Sequence, residues 1–347
     1  MVRVGIIGAS GYAGGELIRY LLGHREAKIT YLASDTYRGK HIGNAFPSLL
    51  GHDLPQCSSF SEDGGMDRAD VFFLAQRNGW AMKIAPQLLD EGKKVIDISA
   101  DFRFRDAGVY EQWYKTEHIT KDLSRKAVYG LPELKKESIV SASLIANPGC
   151  YPTSAILALA PAVSSGLVDP SGIIVDSKSG LSGAGRSKFE VGYLFSEVDG
   201  SFKPYGVGTH RHTPEIEQEI SELAGKSVCM SFTPHLVPMI RGILTTAYAS
   251  LTRDAATADV IKMYKEYYAK SQFVVVLGEG QYPSTKSVAG TNYCHIGLKV
   301  DNRTGRLIVM SAIDNMGKGA AGQAVQNLNL ISGLPEDMGL TGTAVYP

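Results

Sequence analysis

The chain of 347 residues has no excess charge of either sign: 35 Lys and Arg stand against 35 Asp and Glu, for a formal net charge of zero. It also has no Lys/Arg block. Nucleic acid and anionic membrane both call for a positive field on the protein, so neither is expected as the main partner. No apolar stretch is long enough to span a bilayer. The opening, MVRVGIIGASG, enters a strand at once, without the layout of a signal or transit peptide. Cysteine is scarce: Cys57, Cys150, Cys229 and Cys294 lie far apart with no CxxC spacing. A reduced, cytoplasmic chain is the expectation. Internal repeats and low-complexity segments are missing too. What remains is ordinary globular composition, 44% hydrophobic and 20% charged, which excludes disorder as the main state. The length calls for two domains.

The first half alternates strand and helix. VRVGIIG, AKITYLAS, ADVFFLA and KVIDIS read as short apolar strands, with helical periodicity in GELIRYLLGH and AMKIAPQLLDEG between them. That alternation predicts an α/β unit with a parallel sheet and crossover helices. From about residue 150 the texture changes to longer β-type runs: GIIVDSKSG, SVCMSFTPHLVPM, GILTTAYASLT, QFVVVLGEG, NYCHIGLKVD and RLIVMSAID. A second domain of α+β type with a mixed or antiparallel sheet is expected. The end, NMGKGAAGQAVQNLNLISG, returns to helical spacing, with Val325, Leu328 and Ile331 on one face.

GIIGASGYAGGELI follows the first strand and opens a helix. Gly8, Gly11 and Gly14 give GxxGxxG. Glycines at such a turn let a pyrophosphate approach the helix N-terminus, where N–H groups and the dipole stabilise the anion. In this strand-to-helix setting the loop predicts a dinucleotide site, with Gly8, Ser10, Gly11, Tyr12, Ala13 and Gly14 as cofactor contacts. The second strand ends at Ser34-Asp35. Asp35 suits the ribose hydroxyls of NAD, whereas Ser34, Arg38 and Lys40 suit a 2′-phosphate. NADP(H) is the favoured reading, with Ser34 and Arg38 as its contacts; a solvated loop is the plain alternative for the two cations.

Pro148-Gly149 breaks the chain before Cys150, and YPTSAILALAPAV then reads as a buried helix with Pro152 in its first turn. Cys150 therefore falls at a helix N-terminus, a location that lowers a thiol pKa and favours the reactive thiolate. N–H groups at that end could also stabilise an oxyanion, with Asn147 close enough in sequence to join them. A cysteine nucleophile needs a proton partner, and GTHRHTPEIEQEI offers His210 and His212. Thr213 is the expected N-cap, Pro214 the first helical position, and Glu215 and Glu217 lie in the first turn. His212 then precedes a helix, where the dipole favours neutral imidazole. In an extended segment His210 and His212 point the same way, but no third ligand is suggested and no metal is expected.

Anionic substrates need arginine forks. DISADFRFRD places Ser99, Arg103 and Arg105 just after a Rossmann strand, HLVPMIRGILTT places Arg241 between two strands, and SGLSGAGRS adds a glycine-rich loop with Ser182 and Arg186. Candidate substrate contacts are Arg103, Arg241, Ser99, Ser182, Glu215 and His210; Gly183 and Asn315 complete the cofactor set.

Together GASGYAG, DISADFR, NPGCYPT, SGLSGAGR, THRHTPEI, HLVPMIRGI and GKGAAGQAVQN closely resemble the N-acetyl-gamma-glutamyl-phosphate reductase family, relatives of aspartate-semialdehyde dehydrogenase, over nearly the whole chain. The resemblance implies a Rossmann domain over 1–149, completed by a C-terminal segment 316–347, and a catalytic domain over 150–315. It implies NADP, a homodimer or homotetramer, and reduction of an acyl phosphate to a semialdehyde with release of inorganic phosphate. The family nucleophile falls on Cys150 and its histidine on His212. By analogy with the related dehydrogenases, Arg103 meets phosphate and Arg241 the substrate carboxylate. One departure is AQRNGWA, where relatives often carry Pro-His-Gly, which bears on cofactor contacts at Gln76 to Gly79. The alternative is a related reductase acting on aspartyl phosphate or carrier-bound aminoadipyl phosphate, against which GCYPT argues.

Overall fold

In the computed structural model, which describes residues 1–60, 65–188 and 190–345, the chain divides into two units. Met1–Pro148, Gly185–Ser187 and Ala320–Thr341 form the first; Gly149–Ala184, Lys188–Gly319 and Gly342–Pro347 form the second.

The first unit is built on six strands: β1 (Val2–Ile7), β2 (Ala27–Ala33), β3 (Val71–Leu74), β4 (Lys94–Asp97), β5 (Val128–Tyr129) and β6 (Leu144–Ala146). They lie in the order β2-β1-β3-β4-β6-β5, and every pairing is parallel. β3 is buried throughout, as expected for a parallel strand covered on both faces. The order reverses between β1 and β3, which is where an open α/β sheet holds its ligand, outside the carboxyl ends of the strands. Helices α1 (Tyr12–Leu22), α2 (Ala81–Asp90), α3 (Ala107–Tyr114), α4 (Lys121–Lys126) and α5 (Pro132–Val140) lie in the connections, except that from β2 to β3, where the described residues form short 3-10 turns. The C-terminal helix Gly322–Ile331 joins this unit. Val325, Leu328 and Ile331 are buried, but so is every other residue of that helix. Two of its amide NH2 groups find acceptors: Asn327 Nδ2 donates to the Gly130 carbonyl (2.9 Å) and to Asn147 Oδ1 (3.1 Å), and Gln326 Nε2 to Glu336 Oε1 (2.7 Å).

The second unit carries β7 (Val168–Ser179), β8 (Lys203–Pro204), β9 (Ser231–Leu236), β10 (Ile243–Leu251), β11 (Val274–Val276), β12 (Cys294–Asp301) and β13 (Arg306–Ile313). Their order is β11-β12-β13-β10-β7-β9-β8. The sheet is mixed: β7/β9 and β11/β12 pair in parallel, the others antiparallel. Helix α6 (Cys150–Ser164) packs on this sheet with Tyr151 to Val163 all buried, as its all-round apolar sequence demands. Pro161 cannot donate to the Leu157 carbonyl four residues back. The Tyr268 hydroxyl donates to it instead (2.6 Å), and the Tyr264 hydroxyl donates to the Ala158 carbonyl (2.8 Å). Helices α7 (Thr213–Ala224) and α8 (Thr257–Tyr267) also belong to this unit, with a single helical turn at Phe195–Val198. No helix of the described residues is long and apolar enough to cross a membrane.

Candidate active site

The glycine turn of the first unit shows which glycines the protein itself needs. Gly8 has φ +94°, and a Cβ there would lie 2.3 Å from the Ala75 carbonyl oxygen. A Cβ on Gly14 would lie 2.4 Å from the Gly8 oxygen. Those two serve the turn and the packing of helix on strand. Gly11 has an ordinary φ of −75° and nothing closer than 3.4 Å to an added Cβ. Its bare backbone therefore leaves room at the N-terminus of α1, which begins at Tyr12 with no side-chain cap and no acidic residue in its first turn. Room, bare backbone and an uncapped helix start, Gly11 to Ala13, fit a dinucleotide pyrophosphate. At the end of β2, Ser34 Oγ and Ser10 Oγ are 2.7 Å apart. Asp35 is engaged by Ser59, whose hydroxyl donates to Asp35 Oδ1 (2.8 Å). Arg38 and Lys40 are exposed.

The carboxyl end of β4 carries a buried polar network. Ser99 donates its N–H and its hydroxyl to the Asp97 carboxylate (2.9 and 2.8 Å). Asp101 accepts from the Gly79 N–H (2.7 Å), the Met82 N–H (3.2 Å) and the Tyr110 hydroxyl (2.8 Å), so it caps the start of α2 from the turn after β4. Burial first, then the Asp101 charge, pushes the Asp97 pKa up. Arg103 is buried and aimed by two carbonyls: Nε donates to Asn147 (2.8 Å) and Nη2 to Ile98 (2.8 Å). Asn147 is fully buried; its Nδ2 donates to the Ala320 carbonyl (3.1 Å) and its Oδ1 accepts from Asn327 (3.1 Å). The AQRNGWA segment donates the Gly79 N–H to Asp101, and Asn78 Oδ1 accepts from the Ala100 N–H (3.1 Å).

In the second unit two helix starts meet. Cys150 is the first residue of α6 and half-buried. The N–H of Gly149 donates to Oε1 of Glu215 (2.8 Å), a fully buried carboxylate in the first turn of α7. Tyr151 is the hub beside the thiol. Its ring is met edge-on by His210 (5.5 Å), His212 (5.9 Å) and Phe232 (5.4 Å), and its hydroxyl accepts from Tyr205 (3.0 Å). Burial raises the pKa of both phenols, and Cys150 adds to the rise in each. Gly319 is tight against the nucleophile candidate: a Cβ there would lie 2.9 Å from Cys150 Cβ.

The histidine segment departs from expectation. Residues 210–212 turn rather than run extended, because the Thr213 N–H closes onto the His210 carbonyl (2.9 Å). His212 consequently takes the N-cap position with helical φ/ψ of −81° and −13°, and Thr213 is the first helical residue. The Thr213 hydroxyl is buried and, among the described residues, finds no hydrogen-bond partner. The rings of His210 and His212 still sit 4.9 Å apart, inclined at 72°. His210 Nδ1 accepts the His212 N–H (3.1 Å), so its proton is on Nε2 when neutral. Burial, with Arg211 adding to it, lowers its pKa to about 4. Among the described residues no three His, Cys, Asp or Glu side chains gather as a metal set.

Arg241 is held by a carboxylate that sequence reasoning missed. Its Nη1 donates to Asp314 Oδ2 (3.2 Å), and Asp314 is fully buried. Next to it, Asn315 Oδ1 accepts from the Gly242 N–H (2.8 Å) and its Nδ2 donates to Ser182 Oγ (2.9 Å). Gly183 packs on the Asn315 amide, 3.3 Å from where its Cβ would be. The candidates Ser182, Gly183, Arg241 and Asn315 thus form one cluster. Asp314 and Tyr205 carried no motif signal, since each acts through partners distant in the sequence.

Comparison with known proteins agrees with this architecture. Residues 3–142 match the model of the semialdehyde dehydrogenase NAD binding domain, and 150–315 that of the semialdehyde dehydrogenase dimerisation domain. The solved structure of aspartate semialdehyde dehydrogenase II from Vibrio cholerae superposes with a TM-score of 0.74 at 18% identity, covering 96% of this chain and 98% of that one. Another, aspartate semialdehyde dehydrogenase with NADP from Candida albicans, gives a TM-score of 0.69 at 18% identity, covering 96% and 98%. Fold and domain content define the class as semialdehyde dehydrogenases, oxidoreductases with a nicotinamide-cofactor domain. Within that class, the N-acetyl-gamma-glutamyl-phosphate reductase of Moorella thermoacetica is 52% identical over 347 residues, all of both chains, and that of Pelotomaculum thermopropionicum 51% identical over 100% of this chain and 99% of its own. The chain belongs to the N-acetyl-gamma-glutamyl-phosphate reductase family.

Proposed function

We propose that the chain catalyses the NADPH-dependent reductive dephosphorylation of N-acetyl-L-glutamyl 5-phosphate to N-acetyl-L-glutamate 5-semialdehyde, a step of arginine biosynthesis. The observation that carries this reading is Cys150 at the first residue of α6, sharing Tyr151 as neighbour with His212. His212 accepts the thiol proton, and the thiolate attacks the acyl carbon. The carbon–oxygen bond to phosphate breaks, its electron pair leaves with phosphate, and a thioester remains on Cys150. N–H groups at the start of α6 stabilise the oxyanion. Arg103, aimed by the Asn147 and Ile98 carbonyls, receives the phosphate, and Arg241 clamps the substrate carboxylate. When bound, the nicotinamide supplies the hydride that reduces the thioester carbon. The resulting oxyanion re-forms a carbonyl, the carbon–sulfur bond breaks with its electron pair returning to sulfur, and the His212 imidazolium reprotonates the thiolate.

Residues 1–149 with 316–347 serve as the cofactor domain and 150–315 as the catalytic domain, in a cytoplasmic homodimer or homotetramer. NADP is preferred over NAD, because Asp35 is engaged by Ser59 while Ser10 and Ser34 present adjacent hydroxyls. The reverse reaction tests the whole reading: phosphate-dependent reduction of NADP with N-acetylglutamate semialdehyde, beside aspartate semialdehyde. Rapid turnover of the first and little of the second is expected; the opposite ranking overturns the substrate assignment.

A further inference from the structure

Arg186 has no role in the mechanism above, yet its placement is specific. It lies in SGLSGAGRS, after β7, but residues Gly185–Ser187 belong to the first unit. Its Nη1 donates to the Ser10 carbonyl in the glycine turn (3.1 Å) and its Nη2 to the Tyr37 hydroxyl (3.2 Å). The guanidinium lies over the Phe46 ring (5.0 Å) and the Tyr37 ring (5.7 Å). Phe46 is itself fixed against α1, where a Cβ on Gly15 would lie 2.8 Å from its ring. Tyr37 belongs to the 3-10 turn Asp35–Tyr37 that follows β2. The same Ser10 that takes the guanidinium on its carbonyl pairs its hydroxyl with Ser34. A cation and two hydroxyls thus gather where the glycine turn meets the carboxyl end of β2, where dinucleotide folds distinguish the ribose.

The charge account is incomplete without a ligand. Among the described residues no carboxylate pairs with Arg186. A half-buried guanidinium beside two aromatic rings keeps its desolvation cost until an anion meets it. A guanidinium has five N–H groups, and the Ser10 carbonyl and Tyr37 hydroxyl take one each, which leaves donors for a planar, bidentate contact with a phosphate.

We propose that Arg186 reads the 2′-phosphate of the adenosine ribose, making it a specificity-determining residue for NADP; this rests on the NADP preference proposed above. The loop after β7 thereby supplies one side chain to the cofactor choice, and Arg38, exposed at the end of the 3-10 turn Asp35–Tyr37, is secondary. The test is equilibrium binding to the full-length protein, followed by calorimetry, of NADPH, NADH, 2′,5′-ADP and 5′-AMP. The wild type is compared with Arg186→Gln, which keeps a donor for the Ser10 carbonyl but no charge, and with Arg186→Lys and Arg38→Ala. Arg186→Gln is expected to weaken NADPH and 2′,5′-ADP by roughly tenfold to a hundredfold and to leave NADH and 5′-AMP within about twofold. Arg186→Lys should fall between, keeping charge without the fork. Retained NADH binding is the folding control. Equal loss for all four ligands means that Arg186 only straps its loop in place, and overturns the inference. So does loss of NADPH preference in Arg38→Ala but not in Arg186→Gln, an outcome that leaves the NADP reading intact. A wild type that binds NADH as tightly as NADPH removes that reading, and this inference with it.

Discussion

The Asp314 carboxylate takes four donors: the N–H groups of Met316 (2.7 Å), Gly317 (3.0 Å) and Gly290 (2.5 Å), and the Arg241 guanidinium (3.2 Å). Three backbone donors fix the carboxylate, and the carboxylate in turn fixes the arginine. Asp314→Asn should therefore raise the KM for N-acetylglutamate semialdehyde by roughly tenfold, the scale of one charged hydrogen bond, with the KM for phosphate nearly unchanged; steady-state kinetics with each substrate varied separately reads the split. At the thiol, Cys150→Ser should abolish turnover, on the order of 10³-fold or more, because a hydroxyl is a far weaker nucleophile than a thiolate near neutral pH. NADPH binding should persist, and substantial activity in the serine variant would refute the covalent mechanism. His210 makes a pH prediction. Its folded pKa of about 4 is below the ordinary 6.5, so between those values the unfolded state binds the extra proton. Stability should fall as pH drops through that window, by at most about 1.4 kcal/mol per pH unit from this group. Chemical denaturation of His210→Gln at pH 5 and pH 7 should show a smaller difference than the wild type.

At the scale of elements, the active-site helix depends on supports outside itself. Pro161 leaves the Leu157 carbonyl without its helical donor, and the Tyr268 hydroxyl replaces it at 2.6 Å. Tyr268→Phe leaves a buried acceptor unsatisfied and should cost about 1–3 kcal/mol in a denaturant melt. The other support is the π-turn Gly317–Ala321 that precedes the C-terminal helix. Gly319 within it comes so close to Cys150 that a methyl group cannot enter without moving one of them. Gly319→Ala should lower kcat by on the order of 10²-fold, since displacing a reacting group by about an ångström costs that much, while NADPH affinity stays as in the wild type. A variant with normal turnover would show that the thiol tolerates the displacement.

For the whole molecule, the cofactor is expected to act as a stabiliser of one unit's fold. A ligand that binds only the native state at a hundred times its Kd adds about 2.7 kcal/mol. For a unit of this size each kcal/mol moves the midpoint by roughly 2–4 °C. Saturating NADPH should thus raise the melting temperature by roughly 5–10 °C in differential scanning calorimetry, and 2′,5′-ADP by part of that. A shift from 5′-AMP as large as that from 2′,5′-ADP would argue against any reading of the 2′-phosphate.

Much of this was legible from local pattern, because local pattern reflects local physics. A short apolar run, a glycine turn and an amphipathic helix can only be a βα unit, and its repetition dictates a parallel sheet. The helix start at Cys150 follows from Pro148-Gly149 before an apolar run, all of it readable within a few residues. Local rules also misled where neighbours outweighed them. Thr213 looks like a cap, yet the turn at 210–212 places His212 there instead. The C-terminal helix reads as one-sided, yet it is buried all round, because Asn327 and Gln326 find partners in Gly130, Asn147 and Glu336. Tertiary structure alone decided what lies far apart in sequence: Asp101 capping α2, Asp314 holding Arg241 across 73 residues, and Arg186 set against Ser10 across 176. Those contacts satisfy buried polar groups and charges, and such partners are chosen by proximity in the folded chain, which no periodicity or spacing encodes.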